Sequence, residues 1–287
     1  MSTWTDLGGG ILVRQSRAFL MNSVALVHPE HTVLVDPGVL PSELDDIAAR
    51  VRAAKPADVT LVFTHAHWDH VLGRPWWPAA HTLAHDRFDA DMKRNLQWIH
   101  EETDTIASKH GEKWAKRFEP FRVSERVAGL HFMRFGPWRA VFRDAFGHSE
   151  SQLSLHLPEP RVLIAADMLS DIEVPTLNAV PPAVYLETLR TLLPVLEGGA
   201  IETVVPGHGA IARGRAEVER IFARDVAYLE TLEREVRKLR AGGASLAEAQ
   251  QKLEGMRDVE RHPEYPMREI HLENIQLAYD GVPAART

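Results

Sequence analysis

Four side chains that can bind a metal ion lie within six residues of one another: His65, His67, Asp69 and His70. They directly follow Val59–Phe63, an apolar and β-branched run that predicts a buried strand. In an extended loop, the first two histidines point to the same side because they are two residues apart. If the chain then turns, the last two side chains can face a second ion. Imidazole with carboxylate favours zinc, iron or manganese over calcium or magnesium.

One such cluster cannot complete two metal sites, so further ligands must come from elsewhere. Three candidates each follow an apolar run and stand at a turn, where binding residues tend to collect: His148, Asp167 and His208. The two histidines lie in Gly-His-Ser and Pro-Gly-His-Gly segments. Chance clustering is the alternative in a chain with 15 histidines. It is disfavoured because four ligands in six residues bring no benefit to the folding of a strand-to-loop junction.

The order of these motifs resembles that of the metallo-β-lactamase superfamily: HxHxDH, a Gly-His-Ser histidine, a strand-end aspartate and Pro-Gly-His-Gly. A Leu-Val-Asp-Pro-Gly strand end at Leu34–Gly38 is also typical, and the resemblance spans about residues 18–212. The resemblance implies an α/β (α+β) fold, a four-layer αββα sandwich with its metals at one edge between the two sheets. It also implies ligand roles: His65, His67 and His148 for the first metal, Asp69, His70 and His208 for the second, and Asp167 as the bridge.

The resemblance further implies a binuclear hydrolase that uses a metal-bridging hydroxide, with two zinc ions as the cofactors and iron or manganese as alternatives. Asp69 and His208 are the expected catalytic residues, and Asp69 can bind metal and also receive the proton of the attacking hydroxide. Asp36 is a candidate carboxylate for supporting the ligating imidazoles.

Departures from particular relatives narrow the substrate class. Gln152 stands where glyoxalase II and many lactonases have a second histidine, which weakens both assignments. The absence of cysteine excludes the best-known zinc β-lactamase subclass, which has a cysteine ligand, and flavodiiron proteins would have glutamate at His67. We therefore expect a hydrolase of a small-molecule ester, thioester or lactone.

Two other functions remain open at the level of sequence. A mononuclear iron oxygenase resembling persulfide dioxygenases would bind its iron through His65, through His67 or residues next to it, and through both His148 and Asp167. A binding or scaffold protein with an idle site is the least favoured, because the chain keeps every ligand.

Composition excludes several classes of protein. The chain has 287 residues, 45% hydrophobic and 25% charged, with a net charge of −7 and no cysteine. This excludes wholesale disorder, disulfides, thiol nucleophiles and iron–sulfur clusters, and it disfavours binding to nucleic acid or an anionic membrane. No signal peptide and no run of 18 apolar residues is visible, so we expect a cytoplasmic protein. Its expected partner is a small-molecule substrate, and a homodimer is allowed.

The predicted domains are a catalytic domain at residues 1–212, with a helical insertion at about 86–118, and a helical extension at 213–287 packed on the core. Predicted strands are Ala18–Val27, Thr32–Val35, Val59–Phe63, Leu130–Phe135, Arg139–Arg143, Leu153–Leu157, Val162–Ala166 and Thr203–Val205. Predicted helices are Ser42–Ala53, one or two within Phe88–Phe118, Tyr185–Leu196, Arg215–Arg240 and Ile270–Tyr279. The insertion could be a lid, a dimer contact or decoration. Ser245 and Glu248 predict a capping box.

Overall fold

The computed structural model describes residues 4–281, a mixed α/β chain with two sheets and seven α-helices among those residues. The described chain divides into two compact units. Unit 1 comprises the described residues up to Asp144 together with Glu150–Ala166. Unit 2 comprises Ala145–Ser149 and the described residues from Asp167 onward. The domain boundary at residue 212 stays a prediction.

A seven-stranded sheet in unit 1 has its strands in chain order: β1 Trp4–Gly8, β2 Ile11–Gln15, β3 Asn22–Leu26, β4 His31–Val35, β5 Asp58–Val62, β6 His81–His85 and β7 Glu125–Val127. The pairs from β1 to β4 are antiparallel, and those from β4 to β7 are parallel. Parallel neighbours require long crossover connections. The carboxyl ends of β4 and β5 therefore lie side by side, with Val35 opposite Val62.

The helices of unit 1 occur between these parallel strands: α1 Pro41–Ala54, the one-turn α2 Trp68–Val71, a 3₁₀ helix Arg74–Trp76 and α3 Phe88–Lys109. Both long helices bury an apolar face. Met92, Ile99 and Ile106 of α3 belong to the same core cluster as Phe63 at the end of β5. The predicted insertion is therefore in part a core element, and its helix ends before Gly111, whose φ is +69°.

The second sheet contributes four antiparallel strands to unit 1: β8 Leu130–Phe135, β9 Trp138–Asp144, β10 Leu153–Leu157 and β11 Val162–Ala166. Every residue of β10 and β11 is buried, as their apolar runs predict. The remaining two strands pair antiparallel in unit 2: β12 Thr203–Pro206 and β13 Ala212–Arg213.

Unit 2 is otherwise helical: α4 Pro182–Glu197, α5 Arg215–Ala241, α6 Leu246–Leu253 and α7 Arg268–Gly281. The apolar stripe of α5 is buried, and α5 packs against α4 and α7. The predicted capping box of α6 is confirmed, because Ser245 Oγ accepts the Glu248 N–H at 3.3 Å and the glutamate accepts the serine N–H at 2.8 Å. Between residues 4 and 281, no helix is long and apolar enough to cross a membrane.

The structure corrects one predicted strand and adds elements that the sequence did not indicate. The run Ala18–Val27 contains only β3, because Phe19 and Leu20 have φ of +54° and +49°, which a strand cannot contain. The unpredicted strands are β1, β2, β6, β7 and β13. The strands β1, β6 and β7 include exposed polar positions, β13 has only two residues, and β2 ends on the polar Arg14 and Gln15, so none of them contains a long apolar run.

Buried polar side chains join α5, α6 and α7. The Tyr228 O–H donates to His271 Nδ1 at 2.8 Å, and His271 Nε2–H donates to the Leu253 carbonyl at 2.9 Å. Asn274 Nδ2 donates to the tyrosine oxygen at 2.9 Å. Both nitrogens of the histidine are thus used in packing within unit 2.

This histidine should make the stability of unit 2 depend on pH. Burial lowers the pKa of His271, although its hydrogen bond to Leu253 and the charge of Glu260 oppose the change. As the pH falls below about 6.5, the unfolded chain binds a proton that the folded chain disfavours, so the free energy of unfolding should decrease. Urea unfolding at pH 7.5 and 5.5 should show a smaller difference for His271→Gln than for wild type. His100→Gln, on the exposed face of α3, is the control, and an unchanged difference in His271→Gln would contradict the assignment.

Candidate metal centre

The chain turns after His67 into the one-turn helix α2, which is where the ligand pattern predicts a turn. Ring centroids of His65 and His67 are 4.4 Å apart, and those of His65 and His70 are 4.1 Å apart. Asp69 Oδ1 lies 3.8 Å from His70 Nε2. All four side chains are buried. The one-turn helix α2 thus gathers three imidazoles and a carboxylate at the end of a buried strand.

Asp36 and Thr64 fix the proton positions of two of these imidazoles. Asp36 Oδ1 accepts the Thr64 N–H at 2.8 Å, and its Oδ2 accepts the Thr64 hydroxyl at 2.5 Å and the His70 Nδ1–H at 2.8 Å. Since the threonine hydroxyl donates to Asp36, its oxygen accepts the His65 Nδ1–H at 3.1 Å. Both histidines therefore carry their protons on Nδ1, and Nε2 is the atom that can bind a metal. Asp36 therefore supports His70 directly and His65 through Thr64, and the role of these imidazoles as metal ligands stays a prediction.

The parallel pairing of β4 and β5 explains why Asp36 reaches residues Thr64–His70, which follow β5 and are called the metal loop below. Asp36 follows β4, and its N–H donates to the Val62 carbonyl at 3.0 Å. Asp36 has a φ of +46°, which is uncommon for a residue other than glycine. This backbone conformation turns the chain sharply into Pro37-Gly38. A strained residue held by several hydrogen bonds is typical of a functional position.

Unit 2 gathers the other three predicted ligands. His148 Nε2 lies 3.1 Å from Asp167 Oδ2, and His208 Nε2 lies 3.6 Å from the same oxygen. The aspartate thus stands between two imidazoles. Such an arrangement suits the role of shared ligand that the motifs imply.

Tyr185 of α4 contacts the backbone beside two of these ligands, and the sequence did not single it out. Its O–H donates to the Asp167 carbonyl at 3.0 Å, and its ring lies against Gly147. Burial raises the pKa of Tyr185 well above its usual value, so the phenol stays a donor. One turn further, the Thr188 hydroxyl donates to the Phe146 carbonyl at 2.7 Å. Helix α4 thereby positions the turn that carries His148.

Gly147→Ala should disturb this turn strongly. A Cβ at Gly147 would lie 2.4 Å from Tyr185 Cδ2, and its φ of +135° is strained for any other residue. We expect a loss of about 1–3 kcal/mol in the free energy of unfolding, together with weaker metal binding through displacement of His148. Chemical unfolding and chelator competition measure these two effects. Gly243→Ala, which has a φ of +81° but open space around it, controls for the backbone cost alone. Equal losses in the two variants would contradict the steric account.

Among residues 4–281, seven histidine and aspartate residues could hold a metal ion. His65, His67, Asp69 and His70 lie in unit 1, and His148, Asp167 and His208 lie in unit 2. These are the seven residues that the motifs identify, and their assignment to two ions stays a prediction. The donor chemistry fits a transition metal such as zinc, because every donor is an imidazole or a carboxylate and six of the seven residues are buried.

Helix α3 is attached to the metal loop of unit 1. Asn95 Nδ2 donates to the Ala66 carbonyl at 3.3 Å, and the Trp98 ring lies edge-to-face with His67, with centroids 5.2 Å apart. Trp76 is buried and donates through Nε1 to Asp45 Oδ1 at 2.8 Å, so it packs in the core.

Comparisons with solved structures agree with this fold. A stereoselective inverting sec-alkylsulfatase from Pseudomonas sp. matches at 13% identity with a TM-score of 0.74, covering 100% of this chain. This chain spans only 51% of that sulfatase. A beta-lactamase domain protein from Burkholderia ambifaria matches at 18% identity, covering 96% of this chain and 87% of the other, with a TM-score of 0.69.

A metallo-beta-lactamase family protein from Thermus thermophilus matches at 17% identity over 94% of each chain, with a TM-score of 0.66. A comparison with curated proteins finds no significant match. The sequence profile described as the metallo-beta-lactamase superfamily matches residues 17–208, which is more than half of the chain. The predicted αββα fold class is thereby confirmed, and the chain belongs to the metallo-beta-lactamase superfamily.

Proposed function

We propose that this protein is a binuclear metal-dependent hydrolase of a small-molecule ester, thioester or lactone. The observation that supports the proposal is the set of seven histidine and aspartate residues that could hold metal ions. Metal ions bound there, with zinc as the proposed metal, would lower the pKa of a water molecule and polarise the oxygen of a substrate carbonyl.

The chain's own residues have three tasks in this proposal. Asp36 and Thr64 hold the protons of His65 and His70 on Nδ1, so that Nε2 faces the metal sites. Asp167 is proposed as the ligand shared by the two ions, because it stands between two imidazoles. Asp69 is proposed to accept the proton of the attacking water, and His208 is proposed as the second catalytic residue.

The proposed partner is a small molecule rather than a nucleic acid or a membrane. The net charge of −7 supports this, since phosphate-rich partners attract basic surfaces. A cytoplasmic location is also part of the proposal, and a homodimer is compatible with it.

Activity assays after loading with one metal at a time test the reaction class. We expect the zinc-loaded protein to hydrolyse members of a panel of carboxylic esters, thioesters and lactones, and to lose this activity on treatment with a chelator. The same preparations are offered secondary alkyl sulfates, and glutathione persulfide with oxygen under an oxygen electrode. Oxygen consumption by an iron-loaded form that hydrolyses nothing would replace the hydrolase with an oxygenase. Turnover of alkyl sulfates alone would exclude the carbonyl substrates.

A further inference from the structure

Two exposed aromatic side chains of unit 1 contact neighbouring residues of the metal loop. Between residues 4 and 281, the large hydrophobic side chains that are exposed are Phe19, Trp98, Leu130 and Phe132. The last two lie on strand β8. Trp98 is 39% exposed and contacts His67, whereas Phe19 is 40% exposed and contacts Trp68, with centroids 5.9 Å apart. Isolated exposed aromatics need no explanation, but here one contacts the candidate ligand His67 and the other contacts Trp68, the next residue along the chain.

The position of Trp98 is fixed by the helix that carries it. Asp91, Asn95 and Trp98 are spaced at i, i+4 and i+7, so they share one face of α3. The buried Asp91 carboxylate accepts the Ser151 hydroxyl at 2.6 Å, and Asn95 donates to the Ala66 carbonyl within the metal loop. The apolar residues of α3 are anchored in the core. The indole is therefore held beside His67 while more than a third of its surface stays open to solvent.

Phe19 is presented by a strained backbone. It and Leu20 are consecutive residues with positive φ, at +54° and +49°. Residues other than glycine rarely adopt this conformation, and such strain tends to persist where it serves a function. The strained turn directs the Phe19 ring to Trp68, next to the ligand His67.

We propose that Trp98 and Phe19 form the apolar contact surface for substrate, and that the substrate carries a hydrocarbon chain of several carbons on its ester, thioester or lactone group. This inference rests on the proposed function. Trp98 is the specificity-determining residue, because its indole borders a ligand of the proposed site and offers a flat apolar surface there. A hydrocarbon chain that packs against the indole is removed from water, and each fully buried methylene then improves binding by about fourfold.

Chain-length dependence tests the proposal. The substrates are p-nitrophenyl acetate, butanoate, hexanoate and octanoate, and the variants are Trp98→Ala, Trp98→Phe and Phe19→Ala. We expect kcat/KM of wild type to rise with chain length, and Trp98→Ala to lose about tenfold on octanoate while changing little on acetate. Trp98→Phe should retain most of the preference. Phe132→Ala, which removes a 69% exposed aromatic on β8, is the matched control.

A uniform loss over all four esters, or an unchanged chain-length profile in Trp98→Ala, would overturn the inference. Binding of decanoate to the zinc-loaded protein, measured by calorimetry, separates it from the proposed function. If wild type hydrolyses no ester but binds decanoate tenfold more tightly than Trp98→Ala does, the hydrolase fails and the apolar surface stands. If decanoate binds both proteins equally, the apolar surface fails.

Discussion

Replacing Asp167 by alanine should lower hydrolysis by at least about a thousandfold, which corresponds to about 4 kcal/mol of transition-state stabilisation. Asp167 Oδ2 lies within 3.6 Å of both His148 and His208, so its loss removes the carboxylate proposed to serve both metal sites. The fold should persist, because the Tyr185 O–H binds the backbone carbonyl of residue 167 rather than its side chain. We expect an unchanged far-ultraviolet circular dichroism spectrum and fewer than two metals per chain.

Asp280→Ala provides the matched control, since it removes an exposed carboxylate from α7 in the same unit. That variant should keep the activity and metal content of wild type. Near-full hydrolysis by Asp167→Ala would show that residue 167 is no ligand, and it would remove the bridging role from the proposed site.

The second large effect is expected from Asp36→Asn, which changes one oxygen to an amide nitrogen. Asparagine accepts the left-handed backbone and can keep the hydrogen bond from the Thr64 N–H. Its NH₂ group, in place of Oδ2, would face the His70 Nδ1–H donor and the Thr64 hydroxyl. His70 can then accept only by moving its proton to Nε2, the atom that should bind metal. We expect metal affinity about 10–100-fold weaker and about 1–3 kcal/mol less stability.

Competition with a chelator measures the affinity, and the ¹⁵N shifts of the imidazoles report the tautomers of His65 and His70. Asp104→Asn, at an exposed ion pair with Arg117 in the same unit, should leave both readouts unchanged. Wild-type affinity in Asp36→Asn, with both histidines still protonated on Nδ1, would contradict the tautomer account.

The sequence predicted the strands and helices whose apolar residues follow a clear pattern, and it singled out candidate ligands by their chemistry. The buried strands β10 and β11 and the long helix α5 occur where their apolar patterns place them. The seven ligand candidates are residues that could hold a metal ion, and their role as ligands stays a prediction. A dense set of imidazoles and carboxylates is informative because such side chains do little for folding at a strand end.

Positions that depend on packing could not be predicted in this way. In the sequence, Tyr185 looks like one more apolar residue of α4. The only signal for its contact with the His148 turn is Gly147, where a side chain would collide with the tyrosine ring. Trp98 reads as part of an amphipathic helix, and its exposure beside His67 follows from how α3 packs. The left-handed turn at Phe19 has no glycine to signal it, so the sequence favoured a strand there.

Elemental analysis of the purified protein, counting each metal per chain, tests the central claim most directly. The proposed function predicts that the seven candidate ligands hold two ions per chain, with zinc as the main element, and Asp36→Asn should reduce that number under the same dialysis. One iron per chain, unchanged when zinc is supplied in excess, would contradict the binuclear hydrolase and favour a mononuclear oxygenase.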